Sequence, residues 1–292
     1  MASPVPDPVF LLVCFNRRET TVRCIRSLLT DDSVRADRIV LFDDASTDGT
    51  KEAALTAAPG LHLVEGDGST FWNGGLYRAW TEALKLETDA FIWLNDDVEL
   101  DADALSRMRE AWREASERRP DGLFILVGAT RGRDGQISYC GYRRVRSPWA
   151  LRFAPVHPSG ALTPIDTFNG NFAVVPKAVV NRIGLNDPVF HQSAGDTDYG
   201  LRARAAGVDV LLMAHPIGRC EPNTLKAQRG FGSRDLTLAD QWRVVNTHLG
   251  LPFRNWFWLT LRYSGVWFPL HFLLPYRWLV LPRWLHEIAR RG

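Results

Sequence analysis

Three groups of carboxylates stand where the chain passes from apolar to polar: Asp43-Asp44, Asp96-Asp97 and Asp196-Thr197-Asp198, with His215 at a fourth such point. The sharpest is Phe91-Ile92-Trp93-Leu94-Asn95-Asp96-Asp97-Val98-Glu99, an apolar run too short for a comfortable helix that ends in side-chain oxygens. That pattern belongs to a buried parallel strand delivering polar groups to the carboxyl edge of a sheet, where open α/β sheets bind ligands. Adjacent carboxylates with no Lys in the same turn repel each other unless a cation lies between them. Mg²⁺ or Mn²⁺ suits that place, because hard cations take carboxylate, water and phosphate oxygens. Each group alone has a plainer explanation. Asp96 and Asp97, or Asp196 and Asp198, cap helices; the Asp43 cluster is an Asx turn; His215 is a satisfied histidine at a strand end. Together on one sheet edge they describe a site for a metal-bound diphosphate.

The elements that must position these groups follow from hydrophobic periodicity. Residues 9–15 read as the first strand, and Asn16 starts a helix with Glu19 completing a capping box. Residues 39–42 form a second strand running into the turn Asp43-Asp44-Ala45-Ser46-Thr47-Asp48-Gly49, and residues 61–64 a third. Residues 66–75, with Gly68, Trp72, Asn73 and Gly74, read as a loop that brings backbone close to a ligand. Helices follow over 76–86 and about 101–117, on either side of the 91–94 strand. This alternation predicts a parallel, doubly wound sheet. The middle third differs: a buried strand over 123–127, an antiparallel excursion over 137–142 and 152–156, and a strand over 173–175. Pro176 opens a helix there. Residues 195–198 cap a helix over 199–206, and 208–213 form a last strand closing at His215.

At 292 residues, 46% hydrophobic and 23% charged, the chain has the composition of a soluble globular protein. A net charge of +2 with no Lys/Arg-rich tract gives no sign of nucleic-acid binding. The four cysteines (Cys14, Cys24, Cys140, Cys220) show no CxxC, so reduced thiols in a cytoplasmic protein are expected. Residues 1–8 lack the basic and apolar regions of a signal peptide. Between Gln241 and His286 there is no Asp or Glu, yet five Arg and six of the eleven Trp. The longest uncharged stretch there, residues 263–276, is shorter than the roughly 20 residues a spanning helix needs. Short amphipathic pieces on a membrane surface fit better, with packing on the catalytic domain or oligomerisation as the alternatives.

Four stretches carry a resemblance. They are Val13-Cys14-Phe15-Asn16-Arg17, Phe42-Asp43-Asp44-Ala45-Ser46-Thr47-Asp48-Gly49-Thr50, Trp93-Leu94-Asn95-Asp96-Asp97-Val98, and Gly195-Asp196-Thr197-Asp198-Tyr199-Gly200-Leu201-Arg202 with Ala206-Gly207. In order and spacing the chain resembles a family 2 glycosyltransferase of the GT-A fold, in its rhamnosyltransferase-like branch, over residues 9–222. The resemblance implies a Rossmann-like, mostly parallel α/β sheet with a small antiparallel excursion. It implies a nucleotide-sugar half over about 9–120 and an acceptor half over about 121–222. Residues 223–292 are then a mobile loop and a helical, Trp/Arg-rich segment for membrane surface or oligomer contact.

The resemblance also implies roles. Asp43 binds the nucleotide base beside Phe15, Asn16 and Arg17; Asp44, Gly68, Trp72, Asn73, Gly74, Asn95, Asp96 and Asn171 complete the donor pocket. Asp97 ligates a divalent metal, Mg or Mn, with His215 and Asp96 as further candidates, and Asp196 is the catalytic base. Asn95 stands where the family has an acid, and Gly195 where it has Glu. No Gln-x-x-Arg-Trp motif is present, which points to a single addition rather than processive synthesis. The expected activity is inverting transfer of one sugar from a nucleotide-diphosphate sugar to a saccharide, lipid-linked, in bacterial cell-surface polysaccharide (O-antigen) assembly at the inner face of the membrane. A sugar nucleotidyltransferase would want a Gly-rich phosphate loop where Asn16-Arg17-Arg18 stands. An inert, membrane-docked binding module is the alternative outside enzymes.

Overall fold

A computed structural model describes residues 6–191, 193–222, 237–247 and 251–277. In chain order the elements are β1 (Val9–Cys14), α1 (Arg18–Leu28), β2 (Ile39–Asp43), α2 (Thr50–Ala57), β3 (His62–Glu65), α3 (Phe71–Ala83), β4 (Ala90–Leu94), β5 (Glu99–Leu100) and α4 (Ala104–Arg118). There follow β6 (Phe124–Val127), β7 (Thr130–Arg131), β8 (Ile137–Tyr139), β9 (Gly141–Val145), β10 (Arg152–Val156), β11 (Thr163–Pro164), β12 (Thr167–Phe168) and β13 (Phe172–Pro176). Last come α5 (Lys177–Ile183), α6 (Gly195–Ala205), β14 (Asp209–Leu212), β15 (Gly218–Arg219), α7 (Leu238–Val245), α8 (Phe253–Tyr263) and α9 (Phe268–Leu273).

The central sheet has eight strands in the order β11-β14-β6-β13-β4-β1-β2-β3. β1, β2, β3 and β4 pair in parallel, as the strand–helix alternation requires. Their residues are apolar on both faces because helices cover both: one buried cluster gathers Phe10, Leu12, Ile25 and Leu41, the other Leu11, Val40, Trp80 and Trp93. β13 runs antiparallel to both β4 and β6, so the sheet is mixed at its middle. β14 then returns parallel to β6. Outside this sheet, β9 pairs antiparallel with β12 through Gly141↔Phe168 and Tyr142↔Thr167.

Three expectations need correction. The residue before α1 is Arg17, with no side-chain cap, and no capping box forms at Asn16. The α1 amides are met from the neighbouring turn instead: Arg18 N–H donates to Asp48 Oδ2 (3.0 Å) and Arg17 N–H to Thr50 Oγ1 (3.3 Å). Residues 71–75 are helix rather than loop, being the first turn of α3. Two glycines there suggested a loop, but a Cβ on Gly75 would lie 2.6 Å from the Phe42 ring, so its small size serves helix–sheet packing. Pro176 closes β13 and precedes α5 rather than opening it.

The chain divides into two compact units. The first holds the eight-stranded sheet. The second comprises Arg144–Ala154, Val189–Ala194 and Asn223–Gly292, so it takes two segments that the sequence reading assigned to the catalytic domain. It has its own core of Leu151, Phe190, Val245, Trp256, Leu259, Phe272 and Tyr276. Two polar side chains inside it are satisfied locally: Asn255 Nδ2 donates to the Ser193 carbonyl (2.9 Å) and Trp256 Nε1 to that of His271 (3.1 Å). Among the described residues no helix is long and apolar enough to cross a membrane.

Candidate active site

The carboxyl ends of β1 and β2 are stitched together. Asn16 sits at φ +50°, a left-handed conformation that Asn tolerates better than most residues. Its N–H donates to Ser46 Oγ (2.9 Å), and its Oδ1 accepts from Thr47 N–H (2.8 Å). Asp43 is buried, with Oδ1 accepting from Ser46 N–H (2.8 Å). Phe15 beside it stays 50% exposed, an open aromatic face next to the Asp43 turn.

Two residues expected at the donor hold the scaffold together. Asp44 accepts from the N–H groups of Gly68 (3.0 Å), Thr70 (3.0 Å) and Phe71 (2.9 Å). Both its oxygens are therefore engaged with the loop that leads into α3, where N-terminal amides otherwise lack partners. Gly68 allows that loop its φ of +85°. Asn73 is fully buried; its Nδ2 donates to the Asp187 carbonyl (2.8 Å), and Asn186 Nδ2 donates to its Oδ1 (2.9 Å). Gly74 follows within the helix, close to Thr70 Cγ2 (3.0 Å from an added Cβ). Trp72 faces the site: its indole N–H donates to Asn95 Oδ1 (2.8 Å), and its ring meets Trp93 edge-on at 6.2 Å.

The cation between Asp96 and Asp97 is Arg17. Its Nη1 lies 2.8 Å from Asp96 Oδ1 and 3.1 Å from Asp97 Oδ2. Thr21, one helical turn on, donates to Asp96 Oδ2 (3.1 Å). Burial pushes the Asp96 carboxyl up to about 6; Arg17 pulls the other way and Asp97 adds to the rise. Burial also disfavours the Arg17 charge, but Asp96 and Asp97 outweigh it and hold the guanidinium charged. Asp97 Oδ1 accepts from the Cys220 thiol (3.4 Å), and Asn171 Nδ2 donates to that sulfur (3.4 Å). Neither Thr21 nor Cys220 was singled out from sequence. The four-residue spacing of Arg17 and Thr21 was a usable helical signal; Cys220 offered none.

Asp196 occupies the first turn of α6, where the helix dipole favours a carboxylate. Its Oδ2 accepts from Gly170 N–H (3.0 Å) and its Oδ1 from Thr197 N–H (2.7 Å). Burial raises its carboxyl above the ordinary range, and these amides only partly offset the rise. Gly170 packs under Trp72: an added Cβ would lie 2.5 Å from the ring. Asn95 N–H donates to the Asn171 carbonyl (3.0 Å), so the loop that contacts Asp196 also contacts the Asn95-Asp96-Asp97 turn. The absence of Glu at 195 has a steric reason, since a Cβ there would fall 1.8 Å from Asn73 Oδ1. Asp198 is a structural residue, fully buried and paired to Arg202 at 2.8 Å. His215 is exposed, and among the described residues Asp96, Asp97 and His215 do not form a three-ligand metal cluster.

The donor set fits a hard cation held through one protein carboxylate. Asp97 remains 21% accessible, and its partners are a guanidinium and a weak thiol donor. Mg²⁺ and Mn²⁺ are commonly bound by one or two carboxylates, with waters and substrate phosphates completing the shell. Asp96 is less available, both oxygens being engaged by Arg17 and Thr21.

The profile of glycosyl transferase family 2 matches residues 10–127, from β1 to the end of β6. A comparison with curated proteins finds no match. Among solved structures, the chain is similar to the mannosyltransferase PcManGT from Pyrobaculum calidifontis, in complex with GDP-Man and Mn²⁺. There the TM-score is 0.53 at 16% identity, over 97% of this chain and 72% of that one. It is similar to GalNAc-T7 with UDP, GalNAc and Mn²⁺ (TM-score 0.55, 14% identity, 84% of this chain and 48% of that). It is also similar to S. aureus TarS 1-349 in complex with UDP-GlcNAc (TM-score 0.50, 14% identity, 82% and 64%). At these identities the likeness is one of fold. Residues 10–127 thus match glycosyl transferase family 2, and with the mixed sheet that continues them the chain has the GT-A fold.

Proposed function

We propose that the protein is an inverting glycosyltransferase that moves one hexose or 6-deoxyhexose from a nucleotide-diphosphate sugar to a saccharide acceptor. The observation that carries this is the position of Asp196. Its carboxylate is raised by burial, oriented by two backbone amides, and tied through the Gly170-Asn171 loop to the Asn95-Asp96-Asp97 edge. A carboxylate so held takes the proton of an acceptor hydroxyl as that oxygen attacks the anomeric carbon. The new C1–O bond forms as the bond to the diphosphate breaks on the opposite face; the proton ends on Asp196 and the nucleoside diphosphate leaves. One such displacement inverts the anomeric centre without a protein nucleophile.

Phe15 and Asp43 lie at the base-recognition end, and Trp72 with Asn95 and Gly170 walls the sugar. A divalent ion, when bound at Asp97, supplies charge neutralisation to the departing diphosphate. The neighbours' own ligands, GDP-Man and UDP-GlcNAc among them, support a nucleotide-sugar donor. A lipid-linked acceptor on the membrane's inner face, as in O-antigen assembly, suits the second unit. Val266, Trp267 and Leu273 are exposed there, in a stretch free of Asp and Glu.

Donor hydrolysis and transfer, measured across UDP-, GDP- and dTDP-sugars with and without Mn²⁺, tests the reading. Turnover with at least one donor, lost in Asp196→Asn, is expected. Wild type and Asp196→Asn equally inert toward every donor sinks it.

A further inference from the structure

The Arg17 bridge has a bearing on how a divalent ion reaches the site. One nitrogen, Nη1, contacts both carboxylates, and the side chain is still 43% accessible. The other oxygens near the turn are already engaged: Asp96 Oδ2 by Thr21, Asn95 Oδ1 by the Trp72 indole, and Asp97 Oδ1 by the Cys220 thiol. An ion at Asp97 with Arg17 in place would set a double positive charge about 4 Å from a single one, strongly repulsive in a half-buried setting. A diphosphate removes that obstacle, since its negative oxygens neutralise ion and guanidinium together.

We propose that Arg17 closes the ion position in the free protein, so that the divalent ion is admitted only in company with a nucleoside diphosphate. This rests on the glycosyltransferase reading of the same edge and adds to it an order of events. Because the bridge runs through a single nitrogen, charge rather than fork geometry is what closes the position. A lysine ammonium at 17 therefore preserves the effect, and a neutral side chain releases it.

The test is Mn²⁺ binding followed by electron paramagnetic resonance, on wild type, Arg17→Ala, Arg17→Gln and Arg17→Lys, without nucleotide and then with UDP or GDP. Thermal melts establish that each variant is folded; the near-isosteric Gln variant stands in should the Ala variant not fold. Without nucleotide, the neutral variants are expected to bind Mn²⁺ at least roughly tenfold more tightly than wild type, with Arg17→Lys like wild type. With UDP or GDP, wild-type affinity rises and the gap narrows. Equal nucleotide-free binding by wild type and the neutral variants overturns the inference and leaves the glycosyltransferase reading standing. Absence of any diphosphate-dependent Mn²⁺ binding, in wild type and variants alike, overturns both.

Discussion

Asp196 combines two properties that pull against each other: burial raises its proton affinity, while the Gly170 and Thr197 amides stabilise its anion. The net rise suits a base, because a carboxylate with elevated pKa takes a proton more readily. Replacing it by Asn is expected to lower kcat by roughly 10²–10⁴-fold, the usual yield of general-base assistance. In the proposed reaction the working form is the anion, so activity is expected to rise with pH as Asp196 loses its proton. The acid limb of kcat/KM is expected above the ordinary carboxylate range of about 3.9. A limb at that ordinary value would show that another group titrates. At this scale the sequence was informative about residue type and poor about employment. Asp43 and Asp44 are adjacent and alike, yet one lines the turn and the other spends both oxygens on three backbone amides. Nothing in the letters separates them, because the difference lies in which face of a strand end each side chain leaves from.

Among the elements, the strand–helix alternation was readable to within a few residues because both faces of β1, β2 and β4 are covered and their sequences are continuously apolar. The start of α3 was not readable. Its first turn depends on Asp44 and on the close approach of Gly75 to Phe42 and Val13, contacts made with other elements. The same cause hides the meaning of Gly195, which looks like a lost acid but keeps α6 clear of Asn73. Asn73 cannot step aside freely, being tied to Asp187 and Asn186. Gly195→Ala is therefore expected to destabilise by about 1–3 kcal/mol, the range for an overpacked interior site. Combined with Asn73→Ala, the loss should fall short of the sum of the single losses by more than about 0.5 kcal/mol. Additive melts from the two single variants and the double would remove the steric explanation.

For the whole molecule, the apolar tail reads differently in sequence and in space. Its Trp and Phe residues suggested short pieces lying flat on a membrane, but Trp256, Phe272 and Tyr276 pack into a core with Phe190 from a distant stretch of chain. That core was invisible because residues 144–154 and 189–194 join it from the middle of the sequence. Among the described residues, Val266, Trp267 and Leu273 remain outward, as do Trp149, Trp242, Phe253 and Leu261. If this face meets lipid, Val266→Asp with Trp267→Asp is expected to abolish flotation with vesicles containing anionic lipid while leaving the melting temperature within about 2 °C, as exposed sites do. Flotation unchanged by the double substitution would assign the face to another role.

The Asn16–Ser46–Thr47 stitch, with Asp48 and Thr50 answering the first amides of α1, also bears on turnover. Dinucleotide-binding folds grip phosphate with built-in helix amides. Here the Arg17 and Arg18 amides at that helix start are occupied within the protein. In the proposed reaction the leaving diphosphate therefore relies on groups other than these amides, the Arg17 guanidinium and a divalent ion at Asp97. On that proposal, a product that must depart after every sugar leaves by an exchange of partners rather than by unmaking the fold.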